Sequence, residues 1–179
     1  MFGWLVVGGE ETEVRHLARH LDPKQYRIDV LACLRREGMP EQTHDQLRDL
    51  GVHVDRTPYR LDPKETVDYP ADKMAAYHVV VACRAVASVR PALARMTHPP
   101  PVIEHGGTVR EAQRGPKDHI ARYVGVCASI RDAAAARMPG RPHHALQIPS
   151  MVDLGEFDPA CRAEVRRELG VPDELPLIG

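Results

Sequence analysis

The sequence predicts an α/β domain built on an open, mostly parallel sheet with helices on both faces. Short apolar runs of the kind that lie buried in parallel sheets alternate with segments of helical periodicity along the whole chain. A length of 179 residues fits one domain. Hydrophobic residues at 43% and charged residues at 27% exclude disordered, collagen-like and coiled-coil classes.

Four apolar runs predict the main strands, at residues 4–7, 28–34, 79–83 and 123–127. Weaker strand candidates are 52–57, 101–104 and 145–148. After the first strand, Val14, Leu17, Ala18 and Leu21 repeat at i, i+3, i+4, i+7, with Glu10, Glu11 and Glu13 in the first turn and Pro23 past the end. Residues 40–50 read as a second helix closed by Gly51 as C′. The stretch 60–77 has no clean period and predicts a surface loop with a short helix at 71–76. Residues 86–96 are helical in composition, with a start or kink at Pro91.

Ser129 and Asp132 have capping-box spacing and open an Ala-rich helix that ends near Gly140. In the last helix Asp158 is the N-cap and Pro159 is N1. Cys161, Val165 and Leu169 form one apolar stripe, Gly170 is C′ and Pro172 the stop. Arg162, Arg166 and Arg167 read as its solvated face. Residues 175–179 resemble the start of another buried strand. The expected division is a domain over 1–150, then a linker helix and the beginning of a further domain over 151–179.

Composition also bounds function. Lys plus Arg number 24 against 25 Asp plus Glu, a net charge of -1 that supplies no global field for nucleic acid or an anionic membrane. The four cysteines never approach C-x-x-C spacing, which predicts a reducing, cytoplasmic setting. No positive n-region precedes the first apolar run, and no apolar run approaches the roughly 18 residues of a membrane span. Ten histidines are scattered without ligand spacing, and His143 and His144, adjacent on a strand, would face opposite ways, so no metal is expected.

Two segments could carry chemistry. Gly8-Gly9-Glu10 lies between a strand and a helix N-terminus, where glycines let a ligand approach the backbone; the plain alternative is a tight turn that needs positive φ. It is not G-x-G-x-x-G, and Glu10 and Glu11 would repel a pyrophosphate, which points to a hydroxyl-rich partner or to a shared site completed elsewhere. In the second segment a strand ends in Glu104 and His105, with Gly106 and Gly107 leaving room for a substrate. His105 is the candidate proton-transfer or hydrogen-bonding group; the plain alternative is a loop histidine bonded to backbone.

Taken in order, these pieces resemble the N-terminal half of a GT-B glycosyltransferase, of the retaining family called glycosyltransferase family 4. The first strand with Gly8, Gly9 and Glu11 resembles that family's G-G-x-E loop, and Leu47 to Val54 its L-x-x-x-G-V-x-V passage. Residues 101–105 resemble its strand ending in histidine, and 124–129 its V-x-x-S strand before an Ala-rich helix. Ile148 to Pro159 resembles its I-x-N-G-V-D passage with Phe and Pro following, although Ser150-Met151 stands where Asn-Gly is usual. Arg166, Leu169 to Pro172 and the last three residues resemble the lead into the second domain.

The resemblance implies a Rossmann-like half of a GT-B fold, the acceptor-binding domain of an enzyme moving a sugar from a nucleotide-sugar donor to a hydroxyl acceptor. It implies His105 as the catalytic group and Gly8 and Gly9 as cleft residues, with Glu104 and Gly106 as their substrate-binding neighbours. It implies no cofactor beyond the nucleotide-sugar co-substrate, no metal, and partners limited to the acceptor and the donor held by a C-terminal domain. This chain alone would then be inactive. The other reading is a non-catalytic Rossmann-like module that binds a ligand or regulates.

Overall fold

The computed structural model describes every residue except 63, 85, 157 and 177–179, and at Val86 the backbone alone. The strand expected to begin at 175 therefore falls mostly outside the described residues.

Seven strands form one parallel sheet in the order β3-β2-β1-β4-β5-β6-β7. They are β1 (Phe2–Trp4), β2 (Asp29–Leu34), β3 (His53–Asp55), β4 (Val80–Cys83), β5 (Val102–Gly106), β6 (Arg122–Gly125) and β7 (Ala145–Gln147). Each of the seven sequence candidates overlaps a strand, the first of them at Trp4 alone. The helices are α1 (Gly9–His20), α2 (Gln42–Asp49), α3 (Glu65–Met74), α4 (Val86–Leu93), α5 (Val109–Ala112), α6 (Ala128–Ala135) and α7 (Arg162–Glu168). The architecture is a Rossmann-like α/β domain, and no helix among the described residues is long and apolar enough to cross a membrane.

The strand order reverses direction once, between β1 and β4, and right-handed crossovers then place α1 and α2 on one face and α3 to α6 on the other. The two cores follow this division. Phe2, Val30, Ala32 and Cys83 pack with Leu47 of α2 and Val14 and Ala18 of α1. Val80, Ala82, Val102 and Tyr123 pack with residues of α3 through α6. The α1/α2 layer does not reach across the whole sheet, so Val81 and Leu146 on that face stay about 40% and 39% exposed.

Local departures from the expected elements have local causes. The first strand lies at Phe2–Trp4 rather than 4–7, because the backbone of Val6 is satisfied by side chains instead of a neighbouring strand. Its N–H donates to Glu11 Oε1 at 3.2 Å, and its carbonyl accepts from Thr43 Oγ1. The stretch 60–77 holds a longer helix than 71–76, since Asp62 Oδ1 accepts from the N–H groups of Lys64 and Glu65 and so starts α3 early. Helix α4 continues through Pro91, which sits in its last turn. The cap of α6 is Cys127, not Ser129: Ile130 Cγ2 would lie 2.7 Å from a Cβ at Gly125, so the helix packs directly on the strand end and begins at once.

Past β7, Asp158 caps a 3-10 turn by accepting from Ala160 N, and Gly170 closes α7 with φ +63°, both as the sequence predicts. Arg166 is not solvated. It is 5% exposed and donates to the carbonyls of Pro172 and Leu175, clamping the turn after α7. The expected apolar stripe of α7 faces solvent, with Val165 and Leu169 exposed. Before α7, residues 153–156 form a strap across α1: Arg19 bridges Asp153 and Glu156, each at 2.7 Å, and His20 reaches Asp153 at 3.1 Å.

Candidate functional site

In open parallel sheets the carboxyl ends of the strands, at the point where strand order reverses, form the usual ligand crevice. Here that point is flanked by the 8–9 turn after β1, Arg84 after β4 and the end of β5. The sheet register sets the side chains on their faces. Cys83 pairs with His105 and Ala82 with Glu104, so His105 and Cys83 share the α1 face while Glu104 turns to the other.

His105 lies at the carboxyl end of β5 as expected, but α1 closes over it and leaves its side chain 11% exposed. Its Nε2 donates to Glu13 Oε2 at 2.9 Å, and Nδ1 stands 3.7 Å from Glu10 Oε1. Burial would lower the imidazole's affinity for a proton. The hydrogen bond to Glu13 and the charges of Glu10 and Glu13 outweigh it and raise the pKa to about 9, so the ring is a cation at neutral pH. Glu13 is held below the ordinary carboxylate range; burial opposes this, and His105 and Ser150 overcome it.

The sign of this linkage fixes a pH dependence. A histidine whose folded pKa is raised contributes stability below its unfolded value near 6.5, and that contribution is lost as pH rises towards about 9. Urea unfolding in metal-free buffer should show a fall of at most about 3 kcal/mol across that window. His105→Gln should flatten the decline; a variant that declines as the wild type does would place the pH dependence elsewhere.

The glycines divide into two kinds. Gly8 is extended, with φ −173°, and Gly9 has no positive φ, so the tight-turn alternative does not describe either. A Cβ at Gly8 would sit 2.7 Å from Glu11 Oε2, whereas one at Gly9 meets nothing within 4 Å. Gly9 is therefore open backbone at a helix N-terminus, and Gly8 makes room for Glu11. Gly106 leaves no room for a substrate, because the Tyr123 hydroxyl already occupies the space beside it; Gly107 is open.

Glu104 does not face the crevice. It is 2% exposed under the opposite helix layer, where it accepts from Lys117 Nζ, itself 1% exposed. Burial pushes its carboxyl above the ordinary range in spite of that lysine. The expectation that Glu104 and His105 would both line one crevice fails because neighbouring residues of a strand point to opposite faces.

Arg84 and Glu13 are the site residues that sequence reasoning missed. Arg84 Nε bonds Glu10 Oε2 at 3.0 Å, and its Nη2 bonds Glu11 Oε1 at 2.5 Å. It holds φ at +50°, a strained value for a residue with a side chain, and its two ion pairs fix it there. No family model matches the chain, and no curated protein or solved structure matches it. What the geometry offers is a crevice edge with open backbone at Gly9 and Gly107, a buried imidazolium between two carboxylates, and a guanidinium tying two acids. A cavity of about 200 Å³ lies at the opposite, amino edge of the sheet, lined by Asp29, Lys73 and Tyr77 among others.

Proposed function

We propose that this chain is the acceptor-side domain of a retaining glycosyltransferase, which moves a sugar from a nucleotide-sugar donor to a hydroxyl acceptor when a second domain closes the crevice. The observation that carries this reading is the placement of the open Gly9 backbone and His105 on either side of the one point where strand order reverses. An edge rich in carboxylates suits hydroxyl groups, which can donate to them, and disfavours a bare diphosphate. The donor's diphosphate is thus assigned to the second domain, and the isolated chain turns nothing over, since the reacting groups are not held together. His105 and its acids set the charge of the acceptor wall, while Glu104 and Gly106 fix the strand end from behind.

The test is saturation-transfer NMR with a panel of methyl glycosides and with UDP-glucose, on wild type and Gly9→Val. Glycosides should bind at millimolar concentration and UDP-glucose should not. Gly9→Val should abolish glycoside binding while shifting the melting temperature by no more than about 2 °C, because its side chain projects into open space. Transfer or hydrolysis of UDP-glucose by this chain alone, or unchanged glycoside binding by the folded variant, would defeat the proposal.

One observation favours the second reading, a non-catalytic ligand-binding module. His105 is already engaged by Glu13, as a purely structural ion pair would be. On that reading His105→Gln leaves glycoside binding unchanged.

A further inference from the structure

Three side chains from three elements meet on the α1 face beside the reversal point. A carboxylate oxygen of Glu10, Sγ of Cys83 and an imidazole nitrogen of His105 all lie within 4.8 Å of one another. The β4–β5 register seats Cys83 and His105 side by side, and the first turn of α1 lays Glu10 over them. Glu10 and Cys83 are buried, and His105 Nδ1 is buried without a hydrogen-bond partner among the described residues.

We propose that Glu10, Cys83 and His105 bind a divalent transition-metal ion of the zinc class. Oxygen, thiolate and imidazole together are the donor types such ions take from proteins, and three protein ligands leave a fourth position for water or an oxygen of a bound molecule. The edges of a tetrahedron around zinc span roughly 3.3 to 3.6 Å. Glu10 Oε1 and His105 Nδ1 already stand 3.7 Å apart.

The atoms behind the donors are tied as they are in metal sites. Glu13 accepts from His105 Nε2 at 2.9 Å, which leaves Nδ1 for the metal in the carboxylate–histidine arrangement that orients such ligands. Arg84 holds Glu10 Oε2 at 3.0 Å and leaves Oε1 on the side of His105. An ion-pair network alone accounts for Glu13 and Arg84, but leaves Nδ1 facing Glu10 Oε1 at 3.7 Å, beyond hydrogen-bond distance. The proposal departs from the expectation of no metal; it goes beyond the glycosyl-transfer reading and does not depend on it.

The experiment is a titration of the chain with Co²⁺, in a Cys127→Ser, Cys161→Ser background that removes the two thiols nearer the surface. One equivalent should bring up a near-ultraviolet thiolate-to-cobalt band with visible bands of a four-coordinate ion, and Zn²⁺ should displace both. Cys83→Ala, which keeps the core apolar, should abolish the near-ultraviolet band. Glu13→Gln leaves every ligand in place and should weaken Co²⁺ binding by about 10- to 100-fold. If Cys83→Ala does not fold by circular dichroism, the parent spectrum and Glu13→Gln decide. Absence of the thiolate band, its persistence in folded Cys83→Ala, or unchanged affinity in Glu13→Gln would each overturn the site.

Discussion

Replacing Lys117 with alanine is expected to cost about 3 to 5 kcal/mol, because it leaves the Glu104 carboxylate buried without its countercharge. For a chain of this length that is a fall of roughly 10 °C in melting temperature. Lys117 lies against the Tyr123 ring, 5.0 Å from its centroid, and also donates to the Arg114 carbonyl at 3.0 Å. Removing it therefore opens a cavity as well as an unpaired charge. Replacing both partners with apolar residues of similar volume, as in Glu104→Leu with Lys117→Met, should recover most of the loss, since neither charge is then left to desolvate. A double variant no more stable than Lys117→Ala would show that packing rather than charge dominates.

Gly106→Ala should cost about 1 to 3 kcal/mol through overpacking in a core with no slack. The new methyl group would overlap the Tyr123 hydroxyl, and the ring carbon that bears it lies 3.0 Å away. That hydroxyl is itself buried with no hydrogen-bond partner among the described residues. Tyr123→Phe should accordingly be neutral or stabilising alone and should reduce the cost of Gly106→Ala, a coupling that chemical denaturation of the four proteins in the cycle measures directly. Additive effects would mean that the strand end relaxes away from the ring.

Most strands were legible because they lie on short apolar runs, and the weak candidates at residues 52–57 and 145–148 contain β3 and β7. What escaped was set by side chains that satisfy backbone groups from a distance. Thr43 and Glu11 take up the Val6 peptide and shorten the first strand. Asp62 starts a helix where Pro63 and Pro70 argue for a loop. The site was legible as a place and not as a set of contacts. Gly8, Gly9 and His105 announce the carboxyl edge, but the strand's alternation sends Glu104 into the far core. Arg84 carries no motif, and Glu10, Cys83 and His105 stand at no ligand spacing because they belong to three separate elements.

The strap over α1 responds to a variable that leaves the sheet untouched. Among its attachments the Arg19–Glu156 pair is exposed, at about 39% and 40%, and such a pair weakens once mobile ions shorten the screening length below roughly 8 Å. Dissolved electrolyte thus bears on how firmly residues 153–156 lie on the helix, whereas apolar burial in the two cores carries no charge to be screened. Ser150, three residues before the strap, also contributes to holding Glu13 ionised. Ionic strength consequently reaches the carboxylate that holds His105 without any ligand having to bind.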